Sequence, residues 1–404
     1  MWDTSIDINA IKEIRTRTTT YLGVGAIAKM HDIAAALKAR GVTSVLCVTG
    51  GRSYKLTGAW DYVTAACKAN GIAITLYDKI TPNPTTDAID EATALGRAGG
   101  AQAVIAIGGG SPIDAGKSAA ILLANPGRTG RELYSFAFTP ELAVPIVVVN
   151  LTHGTGSEVN RFAVATITSL NHKPAIAYDC IYPFYSIDDP ALMTKLSPAQ
   201  TRFVSIDAVN HVIEAATAIT ANPLSILLAQ ETIRLVAAYL PAALTNPEDL
   251  RARYCLAYAA LIAGTAFDNG LLHFTHALEH PLSAVKPELA HGLGLSMLLP
   301  AVIRQCYPAT APVLAQILRP IAPELRGLPE EAAAAARAVE GWLSSVGVPQ
   351  KLMDEGFGEG DVERLCNLVE NTPSLGLLLS VAPVPGTRER VAAIYRDSMR
   401  PMPA

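Results

Sequence analysis

The chain of 404 residues carries little charge and has no closely paired cysteines. Charged residues make up 17% of the sequence and the net charge is −4, so no basic stripe is available for a nucleic acid or for an anionic membrane surface. The cysteines form no CxxC pair, which is typical of reduced thiols in a cytosolic protein. They are Cys47, Cys67, Cys180, Cys255, Cys306 and Cys366.

The sequence also lacks an uninterrupted apolar run long enough to span a membrane. The stretch Leu224–Leu240 is interrupted by Glu231 and Arg234, and residues 1–15 lack the basic-then-apolar order of a signal peptide. Because half of the residues are hydrophobic, disorder is not expected. We therefore expect a soluble cytoplasmic protein of enzyme size.

The first half of the chain alternates short apolar runs with alanine-rich segments of helical spacing, such as 59–70 and 87–98. This alternation predicts a parallel sheet covered by helices on both faces. The strand candidates are Ser44–Thr49, Ile72–Tyr77, Ala103–Ile107 and Val144–Val149, and the runs Phe162–Thr168 and Lys173–Asp179 predict a β-hairpin. From residue 197 onward the periodicity is helical. The sequence thus predicts an α/β domain over residues 1–190 and an all-α domain over residues 191–404.

A glycine-rich turn follows the third strand candidate, in the sequence AVIAIGGGSPIDAGKSAA over Ala103–Ala120. Glycines allow close backbone approach to a ligand, and the helix that begins near Pro112 directs free N–H groups toward a phosphate. A tight turn without a ligand is the alternative. Two other motifs are incomplete: a Walker A loop would need glycine where Ser111 stands, and the G-x-G-x-x-A match at Gly23–Ala28 lacks the acidic residue that should end the next strand.

Histidines and one aspartate recur at helical spacing in the second half. Asp207 and His211 lie four residues apart, as do His276 and His280, so each pair shares a helix face. Four of the eight histidines fall within nineteen residues, at 273, 276, 280 and 291. Ligands of this kind hold a divalent transition metal such as iron or zinc. The alternatives are buried structural histidines and an ordinary surface Asp–His pair.

Five motifs occur in a fixed order between Tyr21 and Tyr395: NPTTDAIDEA, GGGSPIDAGKSAA, THGTGSE, DAVNH and HALEH…HG. With this set the chain resembles the iron-containing (group III) alcohol dehydrogenase family, which is related to dehydroquinate synthase. The resemblance implies a Rossmann-like α/β nucleotide-binding domain, an all-α metal-binding domain and an active site between them. It implies four metal ligands, Asp207, His211, His276 and His291, and a His280 that faces substrate and nicotinamide.

The resemblance also implies the cofactor contacts. These are a pyrophosphate loop at Gly109, Gly110 and Ser111 with Asp114 behind it, two threonines at Thr152 and Thr155, and weaker contacts from Asn83 and Lys173. Where many NAD-using members have an aspartate, this chain has Gly50-Gly51-Arg52-Ser53. Without that carboxylate, Gly51, Arg52 and Ser53 can accommodate a 2′-phosphate, so we expect NADP, with NAD as the alternative.

The chain departs from the family pattern at two histidines. His273 stands where relatives often have glycine, and it is a candidate for lining the substrate pocket and passing a proton with His280, or for filling space near the metal. His153 replaces a usually small residue in the threonine motif.

These features predict a metal-dependent alcohol dehydrogenase or aldehyde reductase that uses Fe(II), or zinc or another divalent ion, and acts on a small uncharged alcohol. The alternatives are a dehydroquinate synthase-like lyase or cyclase, and a binding protein without catalysis. The resemblance also implies a homodimer or larger homo-oligomer.

Overall fold

The computed structural model describes residues 13–403. Most of the segment in which the sequence predicts no signal peptide lies outside these residues. Within them, the first half contains eight strands, β1 (Thr19–Leu22), β2 (Ser44–Gly50), β3 (Ala73–Ile80), β4 (Ala103–Gly108), β5 (Ile146–Asn150), β6 (Phe162–Val164), β7 (Ala175–Ala177) and β8 (Tyr185–Asp188). Six of them form a parallel sheet in the order β1-β8-β5-β4-β2-β3, and β6 and β7 form a two-stranded antiparallel hairpin.

Helices cover both faces of this sheet. They are α1 (Met30–Ala39), α2 (Ser53–Leu56), α3 (Ala59–Ala69), α4 (Thr86–Ala98), α5 (Gly110–Ala124) and α6 (Gly130–Tyr134). Alternate residues of one strand face opposite ways, so Val45 and Cys47 of β2 pack in the same core as α1 and α3, whereas Leu46 and Val48 pack with α4 and α5. Burial on both faces is why these strands read as continuous apolar runs.

The second half is helical and has its own large core. Its helices are α7 (Pro198–Thr217), α8 (Pro223–Thr245), α9 (Leu250–Gly270), α10 (Phe274–Val285), α11 (His291–Ile317), α12 (Ala332–Ser345), α13 (Val362–Asn371), α14 (Leu375–Ser380) and α15 (Arg388–Asp397). The predicted fold class is therefore confirmed. The predicted division at residue 190 falls between β8 and α7 and stays a prediction.

The helix α8 corrects one expectation from the sequence. Within residues 13–403 it is long and apolar enough to cross a membrane by length and composition, and the bent pair α9–α10 passes the same test. Glu231 and Arg234 therefore do not interrupt the apolar run enough to fail that test. In the fold, however, Ile226, Ile233 and Leu240 of α8 are buried in the helical core, as in the core helix of a globular protein.

Candidate active-site cleft

A cleft of about 1480 Å³ lies between the two halves of the chain. Its α/β wall is formed at the carboxyl ends of β4 and β5, the edge at which open parallel sheets bind ligands. Its helical wall comes from α7, α10 and α11. The predicted site residues that line it are Ser53, Asn83, Gly109, Gly110, Ser111, Asp114, Thr152, Thr155, Lys173, Asp207, His211, His276, His280 and His291.

Three of the predicted metal ligands converge in this cleft. The Oδ1 atom of Asp207 lies 3.6 Å from Nε2 of His276 and 3.9 Å from Nε2 of His291. One potential ligand atom from each of these residues lies within 4.8 Å of the others, close enough to share one ion. His211 is outside that tightest group, but its Nε2 is 3.4 Å from the same Asp207 oxygen and its ring stacks on His276 with centroids 4.7 Å apart.

Buried carboxylates orient the imidazole rings. Glu214, one turn beyond His211 on α7, accepts a hydrogen bond from Nδ1 of His276, and Glu279 accepts one from Nδ1 of His291. Each bond takes one ring nitrogen and leaves Nε2 free to coordinate a metal. Neither glutamate was singled out from the sequence, although Glu214 continues the helical spacing of Asp207 and His211.

The electrostatics of this cluster also fit a cation. Burial alone raises the pKa of Glu214, but the imidazoles of His276 and His273 outweigh burial and lower it to about 2. Burial alone lowers the pKa of His276, but Glu214 and Asp207 outweigh it and raise that pKa to about 9. A metal must therefore displace a proton from His276. The buried Oδ1 of Asp207 and Nε2 of His276 have no hydrogen-bond partner in the described chain, so the residues fit a metal ion.

His280 faces the cleft beside this cluster. Its ring centroid is 5.9 Å from that of His291, and its buried Nδ1 has no hydrogen-bond partner among residues 13–403. Burial, with the nearby Lys173 ammonium, holds the pKa of His280 well below its ordinary value, so its imidazole is neutral near pH 7. Lys173 itself donates to Ser283 Oγ at 2.7 Å and lies 3.4 Å from Glu279.

His273 does not fit the predicted role of a proton relay. It does not line the cleft, and both of its ring nitrogens are engaged within the protein. Nδ1 accepts from the Phe274 N–H at 2.8 Å, and Nε2 bonds Thr217 Oγ1 at 2.9 Å. His273 thus caps the start of α10 and fills space near the histidine cluster, which agrees with the second of the two roles that the sequence predicts for it.

The glycine loop brings the sheet close to the threonine motif. A Cβ atom added to Gly109 would lie 2.8 Å from the side chain of Thr152, and one added to Gly110 would lie 2.6 Å from that of Thr155. The loop leads directly into α5, whose first residues Gly110 and Ser111 line the cleft, and a helix N-terminus in that place favours a phosphate. Asp114 sits behind the loop, where its carboxylate accepts from Ser157 Oγ and the Val164 N–H, and burial raises its pKa to about 6.

Lys117 shows why the Walker-like match is misleading. Its side chain is fully buried, and its ammonium donates to Ser157 Oγ and to the carbonyl oxygens of Asn160 and Phe162 at 2.8–2.9 Å. The ammonium therefore holds the segment after the threonine motif and does not reach into a phosphate cradle.

The remaining predicted cofactor residues lie at the rim. Gly51 and Arg52 are exposed at the end of β2 and do not line the cleft, whereas the neighbouring Ser53 does. Asn83 lines the cleft, but its amide donates to the Pro287 carbonyl oxygen at 2.9 Å. Asn83 therefore ties the α/β half to the loop that precedes His291.

Comparisons with known proteins identify the family. Residues 17–190 match the description "iron-containing alcohol dehydrogenase", and residues 201–399 match the C-terminal part of the Fe-containing alcohol dehydrogenase family. A long-chain primary alcohol dehydrogenase of Thermoanaerobacter ethanolicus is 57% identical over 98% of this chain and 100% of its own length. A 1,3-propanediol dehydrogenase of Klebsiella pneumoniae is 33% identical over 84% of this chain and 87% of its own.

Solved structures agree with these relatives. An NADH-dependent butanol dehydrogenase from Thermotoga maritima superposes with a TM-score of 0.87 at 28% identity, over 96% of this chain and 98% of that one. A 1,3-propanediol oxidoreductase gives 0.86 at 30% identity, over 96% and 100%. The relatives support oxidoreductase chemistry and not the dehydroquinate synthase-like alternative. The chain belongs to the iron-containing alcohol dehydrogenase family, and it is a metal-dependent alcohol dehydrogenase that transfers a hydride between an alcohol or aldehyde and a nicotinamide dinucleotide.

Proposed function

We propose that Asp207, His211, His276 and His291 bind the divalent metal and that the native ion is Fe(II). The observation that carries this proposal is the convergence of unpartnered carboxylate and imidazole atoms in the buried cluster. Nitrogen and oxygen donors suit iron, and the family description names the same metal. When bound, the ion supplies Lewis acidity at the alcohol or aldehyde oxygen.

We propose that His280 exchanges the hydroxyl proton. Its neutral imidazole has an unpartnered Nδ1 beside the ligand histidines, which is what a group that accepts a proton and passes it on requires. The side chains of Thr152 and Thr155 pack on the glycine loop and orient the cofactor at the sheet edge. The cofactor and the alcohol are thus held together in the cleft between the two halves of the chain, so that a hydride can pass from one carbon to the other.

We infer that NADP(H) is the preferred cofactor. Arg52 and Ser53 are exposed at the end of β2, where the strand itself ends in Gly50, followed by Gly51, rather than in an acidic residue, and a guanidinium binds phosphate oxygens well. Some relatives are named for the other cofactor, including an NAD-dependent methanol dehydrogenase of Bacillus methanolicus at 31% identity. Arg52→Ala should therefore lower kcat/KM for NADPH roughly tenfold, with little change for NADH.

The proposed substrate is an uncharged primary alcohol or the matching aldehyde, including those with long aliphatic chains. The cleft wall near the proposed metal site is apolar, since Phe267 stacks on His211 and Phe162 packs on Phe267, and Leu378 and Val381 also line the cleft. The relative from Thermoanaerobacter ethanolicus is named for long-chain primary alcohols. Each additional buried methylene contributes about 0.8 kcal/mol, so kcat/KM should rise roughly fourfold per carbon until the cleft is full.

We further propose that the protein is cytoplasmic and forms a homodimer or larger homo-oligomer. The six cysteines are free, which suits a reducing compartment. The oligomeric state follows from the resemblance to the family, and light scattering on the purified protein would measure it.

Anaerobic turnover assays test the proposed function. The protein is stripped with a chelator, and NADPH and NADH oxidation is followed with aldehydes from two to twelve carbons after Fe(II), Zn(II) or another divalent ion is returned. We expect metal-dependent oxidation that disappears in His276→Ala. Activity that survives both metal removal and that substitution would overturn the proposed metal site, and preference for NADH would overturn the proposed role of Arg52.

A further inference from the structure

The segment 152–156, here called the threonine loop, is wedged against two helices of the helical half. A Cβ atom added to Gly154 would lie 2.6 Å from the Val204 carbonyl oxygen of α7. Gly156 has φ +62°, and a Cβ atom there would lie 2.3 Å from Cα of Gly264 in α9. The same loop touches the glycine loop on its other side, through Thr152 and Thr155. The threonine loop therefore contacts the edge of the sheet on one side and the helices α7 and α9 on the other.

His153 lies at the centre of this contact and is only 1% exposed. Its Nε2 accepts a hydrogen bond from Nη1 of Arg253 in α9 at 2.9 Å, and its Nδ1 is 3.3 Å from Oγ of Ser205 in α7. Because a guanidinium can only donate, Nε2 must be unprotonated and Nδ1 carries the hydrogen. Burial and the Arg253 charge lower the pKa of His153 to about 3, so this neutral tautomer persists across the working pH range.

Arg253 depends on this acceptor because it is a fully buried cation without a carboxylate partner in the described structure. Its other hydrogen bonds go to Pro247 O at 3.0 Å and Thr201 Oγ1 at 2.9 Å, while Nη2 has none. Removal of a partner from a buried charged donor is costly. The Arg253 guanidinium therefore holds the His153 ring, and with it the threonine loop, in one position.

We propose that His153 is a positioning residue that sets the distance between the bound nicotinamide and the metal centre. Ser205, which contacts the other side of the His153 ring, lies on α7 two residues before Asp207. The contact of His153 with Ser205 therefore fixes the loop of the proposed cofactor contacts Thr152 and Thr155 directly to the helix that carries two of the proposed metal ligands. The proposal rests on the proposed function, in which these threonines contact the cofactor and Asp207 binds the metal.

The test compares His153→Ala with Thr201→Val in the metal-loaded enzyme. Thr201→Val removes a different partner of the same buried Arg253, so it should lower the unfolding temperature and leave the loop attached. The measurements are NADPH affinity by fluorescence, metal content, kcat, KM and the deuterium isotope effect with a substrate labelled at the carbinol carbon.

We expect His153→Ala to keep its metal, to bind NADPH more weakly, and to lose kcat by roughly 10- to 100-fold because a displaced reactant is poorly oriented for transfer. The isotope effect should rise as hydride transfer becomes the slow step. In Thr201→Val, kcat and the isotope effect should match wild type, and His153→Gln, which keeps an acceptor and a donor, should recover most of the activity.

A purely structural role for His153 would give a different result. In that case His153→Ala would lose stability as Thr201→Val does, with kcat and the isotope effect unchanged, and the proposal would be wrong. If His153→Ala does not fold, Ser205→Ala is measured in its place. This substitution removes the contact on one side of the His153 ring and should raise the isotope effect by a smaller factor. An unchanged isotope effect in Ser205→Ala would overturn the proposal. Failure of the proposed function is distinguishable, because wild type itself would then show no metal-dependent turnover.

Discussion

At the scale of single residues, buried carboxylates orient the histidines of the proposed metal site. Glu214 accepts from His276 Nδ1 and from the backbone N–H groups of His273 and Thr275, at 3.2 and 2.6 Å for the last two. One side chain therefore accepts hydrogen bonds from the backbone at the start of α10 and selects the tautomer of His276, a proposed metal ligand. Glu279 acts in the same way on His291, whereas Nδ1 of His211 has no hydrogen-bond partner among the described residues.

The substitution Glu214→Gln should weaken metal binding while preserving the fold. The glutamine side-chain oxygen would still accept hydrogen bonds from the two backbone N–H groups, so the NH2 group of the same side chain would face His276 Nδ1. That contact favours the tautomer with hydrogen on Nε2, which cannot coordinate. Loss of a hydrogen bond that orients a metal ligand typically lowers the metal affinity 10- to 100-fold, and competition with a chelator measures that change. Glu231→Gln, an exposed partner of Arg234, is the control, and equal affinities in both variants would contradict the prediction.

The sequence predicted residues that repeat at helical spacing and missed those that only tertiary packing brings together. Asp207 and His276 could be proposed from the sequence because their motifs are short and local. The structural roles of Lys117 and Arg253 could not be predicted in this way. Lys117 is a basic residue in an alanine-rich helix and Arg253 precedes a tyrosine, and neither setting indicates that the side chain is completely buried. His273 was placed at the reaction centre by proximity along the chain, whereas its hydrogen bonds turn the ring toward Thr217.

At the scale of elements, the strands whose apolar runs are buried on both faces were predicted nearly to the residue. The short strands β1 and β8, with sequences TTYL and YSID, were missed because they are polar and only four residues long, and long-range pairing alone makes them strands. The hairpin was predicted, though its paired segments are shorter than the sequence suggested.

The contact between α9 and the threonine loop gives a prediction about a glycine. A Cβ atom at Gly264 would lie 2.5 Å from the Gly156 carbonyl oxygen, so Gly264→Ala must push the loop away. We expect a net loss of stability of about 1–2 kcal/mol, since overpacking costs about 1–3 kcal/mol and alanine recovers up to about 1 kcal/mol of helix propensity. Denaturant titration measures the loss, and kcat should fall with it.

Gly341 provides the matched control, because it also lies inside a helix but a Cβ atom there would meet nothing within 4 Å. Gly341→Ala should stabilise the protein by about 0.5–1 kcal/mol. If the two alanine variants behaved alike, the close packing of loop and helix would not be a determinant of stability.

At the scale of the whole molecule, the proposed metal ligands all come from the helical half, on α7, α10 and α11, while the predicted phosphate contacts come from the sheet edge. The metal should therefore stabilise the helical half directly. With free metal at a thousand times its dissociation constant, the gain is about 4 kcal/mol, which corresponds to a rise on the order of 10 °C in unfolding temperature for a region of this size.

Calorimetry of the stripped and the reloaded protein measures this rise. The shift should vanish in His276→Ala, whose chelator-treated form should unfold near the temperature of stripped wild type. A full shift in that variant would mean that the ion binds elsewhere in the chain.

The close contact of Gly156 with Gly264 also constrains how such proteins recombine. A crossover near residue 190 would join the sheet of one relative to the helices of another, and each parent contributes one side of this contact. If one parent has alanine at the position of Gly156 or Gly264, its Cβ atom would clash with the backbone of the glycine that the other parent contributes. Chimeric libraries should therefore yield active enzymes mainly when both glycines are inherited together with the histidine–arginine pair beside them.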